Sequence, residues 1–309
     1  MYIHQTTIKC AETFTGIGLH SGKNVTVTLK PAPANTGIVF IRKDKNSFKI
    51  KANAHNVVNT TLCTVLGKNG IEVSTVEHFL AAVFAFGIDN LYVEIDGGEM
   101  PIMDGSSAPF FYIFKEAKIK KLTERKKYIK IKDHIKITED DKIAEFTPSK
   151  FFEVSFLLDY RHPLISNQYL KINLSNESFA EHISKARTFG FLHEVEFLRS
   201  KNLALGGSLD NAVVIDNNTV LNKEGLRYKD EFVRHKILDA LGDISLLGYP
   251  IIGHYKGVKS GHSLNNRLCM ETLANPDKWE IVEAEEKIFT ENRAMFFPQK
   301  YPEPSLVFV

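Results

Sequence analysis

The 309-residue chain reads as an α+β protein made of two similar domains, each a sheet layered on helices, with the functional site at their interface. Two observations predict this. Short stretches of alternating apolar and polar residues, the mark of half-buried strands, are interspersed with helical periodicity in both halves. The two main helical segments also share a beginning, Val76-Glu77-His78 and Val233-Arg234-His235, each running into an apolar stretch. The echo points to an internal duplication in which each copy offers one histidine to a shared interface, where sites often lie.

In order along the chain, residues 24–30, 37–42 and 48–52 alternate as strands. A helix is expected from Ser74 to about Phe86, where Ser74-Thr75-Val76-Glu77 has the Ser-x-x-Glu form of a capping box. A strand over 90–96 and a short helix over 108–117 follow. Residues 115–136 carry nine lysines and Arg125, and read as a linker plus an edge strand whose lysines discourage further pairing. A basic patch for anionic lipid or a diphosphate is the sharper alternative. The boundary is therefore set near residue 120, giving domains 1–120 and 121–309. In the second, strands are expected at 151–159, 169–174 and 212–216, with helices at 177–187 and at 230–247 behind Asp230 as N-cap.

A hydrophobic share of 43% with 25% charged residues suits a soluble globular protein, and a net charge of +2 makes no case for nucleic-acid binding. Cys10, Cys63 and Cys269 are odd in number, far apart and without a CxxC pair. That argues for a reducing compartment and against a thiolate-held metal. No signal-peptide core opens the chain, and the longest apolar run, 79–86, is too short to cross a bilayer. The expectation is a cytoplasmic monomer that can touch a membrane surface.

The richest segment is 230–243. His235 and Asp239 are four residues apart, so on a helix they share a face, and Asp243 continues it. A neutral imidazole and a carboxylate supply two ligands for zinc, although the same pair also fits an i,i+4 ion pair on a solvated helix. His78 offers a third ligand, which leaves the fourth position open as catalysis requires. Glu77 beside it is either a helix cap or the base that activates water. His262, in the turn-prone Lys259-Ser-Gly-His262, is an ordinary loop residue or a general acid with Asp243 holding its ring charged. Gly16-Ile-Gly-Leu-His-Ser-Gly22 fails the dinucleotide-loop spacing because position 21 is serine. It reads as a tight turn presenting His20 and backbone amides.

Seven stretches in the same order carry a family resemblance: residues 16–22, 74–82 (Ser-Thr-Val-Glu-His-Phe-Leu-Ala-Ala), 100–107 (Met-Pro-Ile-Met-Asp-Gly-Ser-Ser), 185–191 (Lys-Ala-Arg-Thr-Phe-Gly-Phe), 205–208 (Leu-Gly-Gly-Ser), 230–239 and 259–262. Together they resemble the zinc-dependent UDP-3-O-acyl-N-acetylglucosamine deacetylases of Gram-negative lipid A synthesis, as far as about residue 275. The resemblance implies hydrolysis of the acetamido group of a UDP-linked, 3-O-acylated glucosamine, the committed step of that synthesis. It implies one zinc on His78, His235 and Asp239, a donor set that also suits ferrous iron. Glu77 would activate water, His262 would be the acid oriented by Asp243, and Thr188 would donate to the oxyanion. Lys236, Phe189, Gly207, Ser208, Cys63 and Leu62 would contact substrate, and residues 189–214 would form a passage for the acyl chain. It assigns His20 no definite role, and the last thirty residues add nothing. Rival readings are another zinc amidase and a metal-stabilised binding module.

Overall fold

In a computed structural model, residues 3–160, 162–165 and 167–284 are described, so most of the last thirty residues lie outside the description. The first half comprises β1 (His4–Ile8), β2 (Glu12–Ile17), β3 (Asn24–Pro31), β4 (Ile38–Arg42) and β5 (Phe48–Lys51). A small sheet of β6 (Val57–Asn59), β7 (Val65–Lys68) and β8 (Ile71–Val73) follows. Then come α1 (Glu77–Phe86), β9 (Leu91–Ile95), α2 (Ala108–Ala117) and β10 (Ile119–Arg125).

The second half begins with β11 (Lys127–Ile131), β12 (Ile135–Glu139), β13 (Lys142–Thr147), β14 (Phe152–Leu158), β15 (Gln168–Asn173) and α3 (Asn176–His182). A short unit of β16 (Phe189–Phe191), α4 (Leu192–Ser200), β17 (Val213–Asp216) and β18 (Thr219–Val220) is set in next. The chain finishes with α5 (Glu231–Ile244), β19 (Ile251–Val258), α6 (His262–Ala274) and β20 (Trp279–Glu283).

The same pairing scheme occurs twice. One sheet runs β2-β3-β9-β4-β5, with β9 antiparallel to β3 and parallel to β4. The other contains β12-β13-β19-β14-β15, with β19 antiparallel to β13 and parallel to β14. β1 is closed by β10, and β11 by β20, each antiparallel. Strand alternation explains the layering: Val25, Val27 and Leu29 of β3 point inward, as do Ile251, Gly253, Tyr255 and Gly257 of β19. α1 precedes β9 as α5 precedes β19, and both helices are buried along most of their length, packed on each other.

Several local expectations are corrected. The capping box does not form: Thr75 has φ +57°, and Ser74 bridges to 98–100 through backbone hydrogen bonds, so α1 starts at Glu77. Asp230 precedes α5 but makes no side-chain cap, because its carboxylate pairs with Arg234 instead. The helix expected over 177–187 stops at His182. Within the lysine-rich stretch, β10 is an edge strand, but β11 is paired on both sides, by β19 and β20. Its lysines reach outward to partners on β20, Lys130 to Glu280 at 3.1 Å and Lys127 to Glu283 at 4.0 Å. Long aliphatic stems let a lysine sit in an internal strand with its charge in water. Among the described residues, no helix is long and apolar enough to cross a membrane.

Candidate active site

Gly242 sets the geometry. A Cβ there would lie 2.1 Å from the Glu77 carbonyl oxygen, so only glycine lets α5 meet α1 backbone to backbone. That contact places the first turn of α1 beside the turn of α5 that carries Asp239 and Asp243.

His78, His235 and Asp239 converge there, all buried, with their ligand atoms within 4.8 Å of one another. Asp239 Oδ1 is 3.2 Å from His235 Nε2 and 3.5 Å from His78 Nε2, and the two rings meet edge to face at 4.9 Å. His235 Nδ1 donates to the Ala186 carbonyl at 3.0 Å, the tautomer that leaves Nε2 as a lone pair. Burial pushes His235 down to about 4, so the ring is neutral at pH 7. Lys236 donates to Asp239 Oδ2 at 2.7 Å, which turns Oδ1 toward the histidines. Burial alone would raise the Asp239 carboxyl, but His235 and Lys236 hold it well below the usual range. Two imidazole nitrogens and one carboxylate oxygen facing one point fit zinc.

Glu77 is buried beside this group. Its Oε2 accepts from the Thr64 N–H at 3.0 Å, and Oε1 lies 4.0 Å from His262 Nε2. Burial raises the Glu77 carboxyl above the ordinary range, with His262 and His78 working against that rise. His262 is not a loop residue: it is the first residue of α6, behind Gly261 as N-cap. Its Nδ1 contacts both Asp243 oxygens, at 2.9 and 3.1 Å. Burial opposes its charge, yet Asp243 pushes it up to about 9, so the ring is protonated at neutral pH. Asp243 is anchored further by Thr64 Oγ1 at 2.5 Å and Asn265 Nδ2 at 2.8 Å.

These groups open onto a cavity of about 160 Å³ whose wall includes Leu62, Cys63, Thr188, Phe189 and Lys236, together with His20 and Tyr160. Burial, with Glu77 adding to it, pushes the Cys63 thiol up to about 12, so it stays neutral. Thr188 is clamped by its backbone, its N–H donating to Gly105 and its carbonyl accepting from Val213, both at 2.8 Å. Gly207 and Ser208 lie outside this wall. Gly207 faces Leu19, which does line the cavity, and Ser208 is tied to Asn211. The expected amides of the Gly16–Gly22 turn are already used, because His20 N and Ser21 N donate to Glu99 at 2.7 and 2.9 Å. The His20 ring nitrogens, by contrast, are buried without a partner. A larger cavity of about 300 Å³ lies at the far end of α1, near Val83 and Leu247. There Asp89 is already satisfied by Lys126 and Thr6, so the chemistry concentrates in the smaller cavity.

Thr64, Asn265 and Ala186 escape sequence reasoning. Ala186 acts through a carbonyl that every residue has, and Thr64 and Asn265 reach Asp243 across 179 and 22 positions with no local pattern.

Compared with known proteins, the chain matches the family model described as UDP-3-O-acyl N-acetylglycosamine deacetylase over residues 5–274. A UDP-3-O-acyl-N-acetylglucosamine deacetylase of Chromohalobacter salexigens is 48% identical over 307 residues, covering 98% of this chain and 99% of that protein. Proteins of the same name from Geobacter sp. strain M21 and Pasteurella multocida are 50% and 48% identical over 282 and 289 residues. The first alignment spans 91% of this chain and 92% of its relative, the second 92% and 95%. With a model match from β1 to the end of α6 and near-half identity along the whole length, the chain belongs to the UDP-3-O-acyl N-acetylglycosamine deacetylase family.

Proposed function

We propose that the protein hydrolyses the 2-acetamido group of a UDP-linked, 3-O-acylated N-acetylglucosamine, a step of lipid A synthesis, using one zinc ion held by His78, His235 and Asp239. The carrying observation is the convergence of those donors within 4.8 Å beside a buried carboxylate and a charged imidazole. Bound zinc would polarise water and the amide carbonyl as a Lewis acid. Everything else is done by side chains. Glu77, its Oε2 anchored by the Thr64 amide, takes the proton of the attacking water on Oε1. His262, charged because Asp243 holds Nδ1, delivers the Nε2 proton to the leaving amine. Thr188, its backbone clamped at both ends, offers its hydroxyl to the developing oxyanion. Lys236 and the wall residues Leu62, Cys63 and Phe189 contact the sugar and its acyl chain.

The strand pairing supports a division near residue 120 into two domains related by duplication: β10, which crosses that point, pairs back onto β1, and every other sheet draws its strands from one side of it. The unit spanning 189–214 supports the acyl passage. α4 buries none of its residues, its stripe of Phe191, Leu192, Val195 and Leu198 is half-buried, and Gly207 and Ser208 follow it. Exposed Phe197, Leu205 and Leu209 on the same unit favour transient contact with a membrane surface. Ferrous iron suits the same donors. The test is acetate release from the UDP-sugar by protein stripped with a chelator and reloaded with zinc or, anaerobically, with ferrous iron. Full activity in stripped protein would remove the metal reading, and release from unrelated acetamides at equal rate would remove the substrate.

A further inference from the structure

Glu231 opens α5 four residues before His235, eight before Asp239 and twelve before Asp243, so all four share one helical face. The last three enter the chemistry above, while Glu231 touches none of it. It is nevertheless fully buried, and its partner Arg187 is 1% exposed. The Glu231 carboxylate takes four donors. Oε1 accepts from Arg187 N at 3.0 Å and Arg187 Nε at 2.9 Å, and Oε2 from Arg227 N at 2.6 Å and Arg187 Nη2 at 3.3 Å. The rest of the guanidinium is held by Glu224 and the Gly225 carbonyl. A buried ion pair is weak evidence for stability, since apolar replacements of the same shape often serve as well. Something other than stability is therefore needed to account for it.

The Arg187 N–H and the Ala186 carbonyl are two ends of one peptide group. That group is planar and trans, so fixing the direction of its N–H fixes the direction of its C=O. Glu231 holds the N–H, and His235, one helical turn along, donates Nδ1–H to the C=O. We infer that Glu231 is a positioning residue: by gripping the 186–187 peptide it aims the Ala186 carbonyl at His235, setting the tautomer that leaves Nε2 free for the metal. Arg187 holds the carboxylate in place, and Arg227 ties the assembly to Asp104 on the loop from the first half at 2.8 Å. Groups that orient a ligating histidine typically change metal affinity by about 10–100-fold when removed.

The inference rests on the metal reading above. Its test uses the full chain, and the main variant replaces both charges together, Arg187→Met with Glu231→Leu, so that neither is stranded. Zinc affinity is measured by competition with a chelating dye, and the His235 tautomer by 15N resonances of the metal-free protein. The expected outcome is a melting temperature near wild type, zinc affinity lower by about 10–100-fold, and a mixed His235 tautomer. Wild-type affinity with a single Nδ1–H tautomer in the folded double variant would overturn the inference. Should that variant not fold, Glu231→Gln takes its place, because one amide oxygen still accepts from the 187 N–H. Retained affinity and a single tautomer are expected there, and loss of both would overturn the inference. Wild-type protein that takes up no zinc would remove the metal reading itself, a distinct result.

Discussion

α1 and α5 occupy the same place in their two halves, each ahead of the central strand of its sheet, and each contributes one histidine to the proposed metal site. Beyond that they diverge. α1 gives only its first turn to the candidate site, with Glu77 and His78, and from Phe79 to Val83 it is buried apolar core. α5 carries a polar row for three turns, Glu231, His235, Asp239 and Asp243, every member buried and every member bound. In one copy of the pattern the helix is packing with a reactive tip. In the other it is the frame of the site. Function has been loaded unequally onto two similar scaffolds, and the cost appears as recruited partners: Lys236 for Asp239, Thr64 and Asn265 for Asp243, Arg187 for Glu231.

The sharpest break in this comparison is at the tip of α1. Glu77→Ala should retain zinc yet lose about 10²-fold or more in kcat, the usual scale of general-base catalysis. The wild-type profile of kcat/KM against pH should be bell-shaped. Its acidic limb lies above the ordinary carboxylate range, because burial raises Glu77 and the base works only when deprotonated. Its alkaline limb falls through about 9, where His262 gives up the proton it must donate. His262→Ala should abolish the alkaline limb, and an unchanged limb would assign the acid to another group.

One turn further along α1, Leu80→Ala should behave oppositely. Leu80 is 2% exposed, and such truncations cost about 2–5 kcal/mol. Denaturant melts should show the loss while kcat per folded molecule stays at wild type. A fall in kcat would show that the chemistry extends along α1 after all. Gly242→Ala tests the contact between the helices. Overpacking typically costs about 1–3 kcal/mol, and here the strain falls on the Glu77 backbone, so stability and zinc-retaining activity should drop together. The mildest effect belongs to the passage. Each methylene removed from the 3-O-acyl chain should cost about 0.8 kcal/mol, roughly fourfold in kcat/KM, and Gly207→Phe should flatten that series. Equal activity on long-chain and acyl-free substrates would return α4 to a purely packing role.

Much of this was legible beforehand because helical spacing is short-range information. The 235/239 face, the third histidine at the mirrored position and the strand alternation all follow from a few neighbouring residues. The misses have one physical cause, tertiary partners outbidding local preference. Ser74 is drawn into a strand bridge instead of capping α1, Asp230 pairs with Arg234 instead of capping α5, and His262 begins a helix that its glycine-rich approach conceals. The lysines of β11 resemble an edge because nothing nearby announces the acidic residues of β20, some 150 positions later.

The pairing of β1 with β10 has a bearing on the order in which the molecule can be made. Among the described residues, every strand pairing of the first half lies within residues 4–125, so that half can close its sheets as soon as β10 leaves the ribosome. At that moment Glu77 and His78 are in place, but the surface of α1 that α5 will cover is bare. It stays so while more than a hundred further residues are translated, because the chain must reach Asp243 before the second helix can dock. Where domains settle from the N-terminus during synthesis, the growing chain carries one of the three proposed metal ligands and an uncovered apolar helix for more than a third of its production. On the proposed ligand set, metal capture then waits until His235 and Asp239 have joined His78.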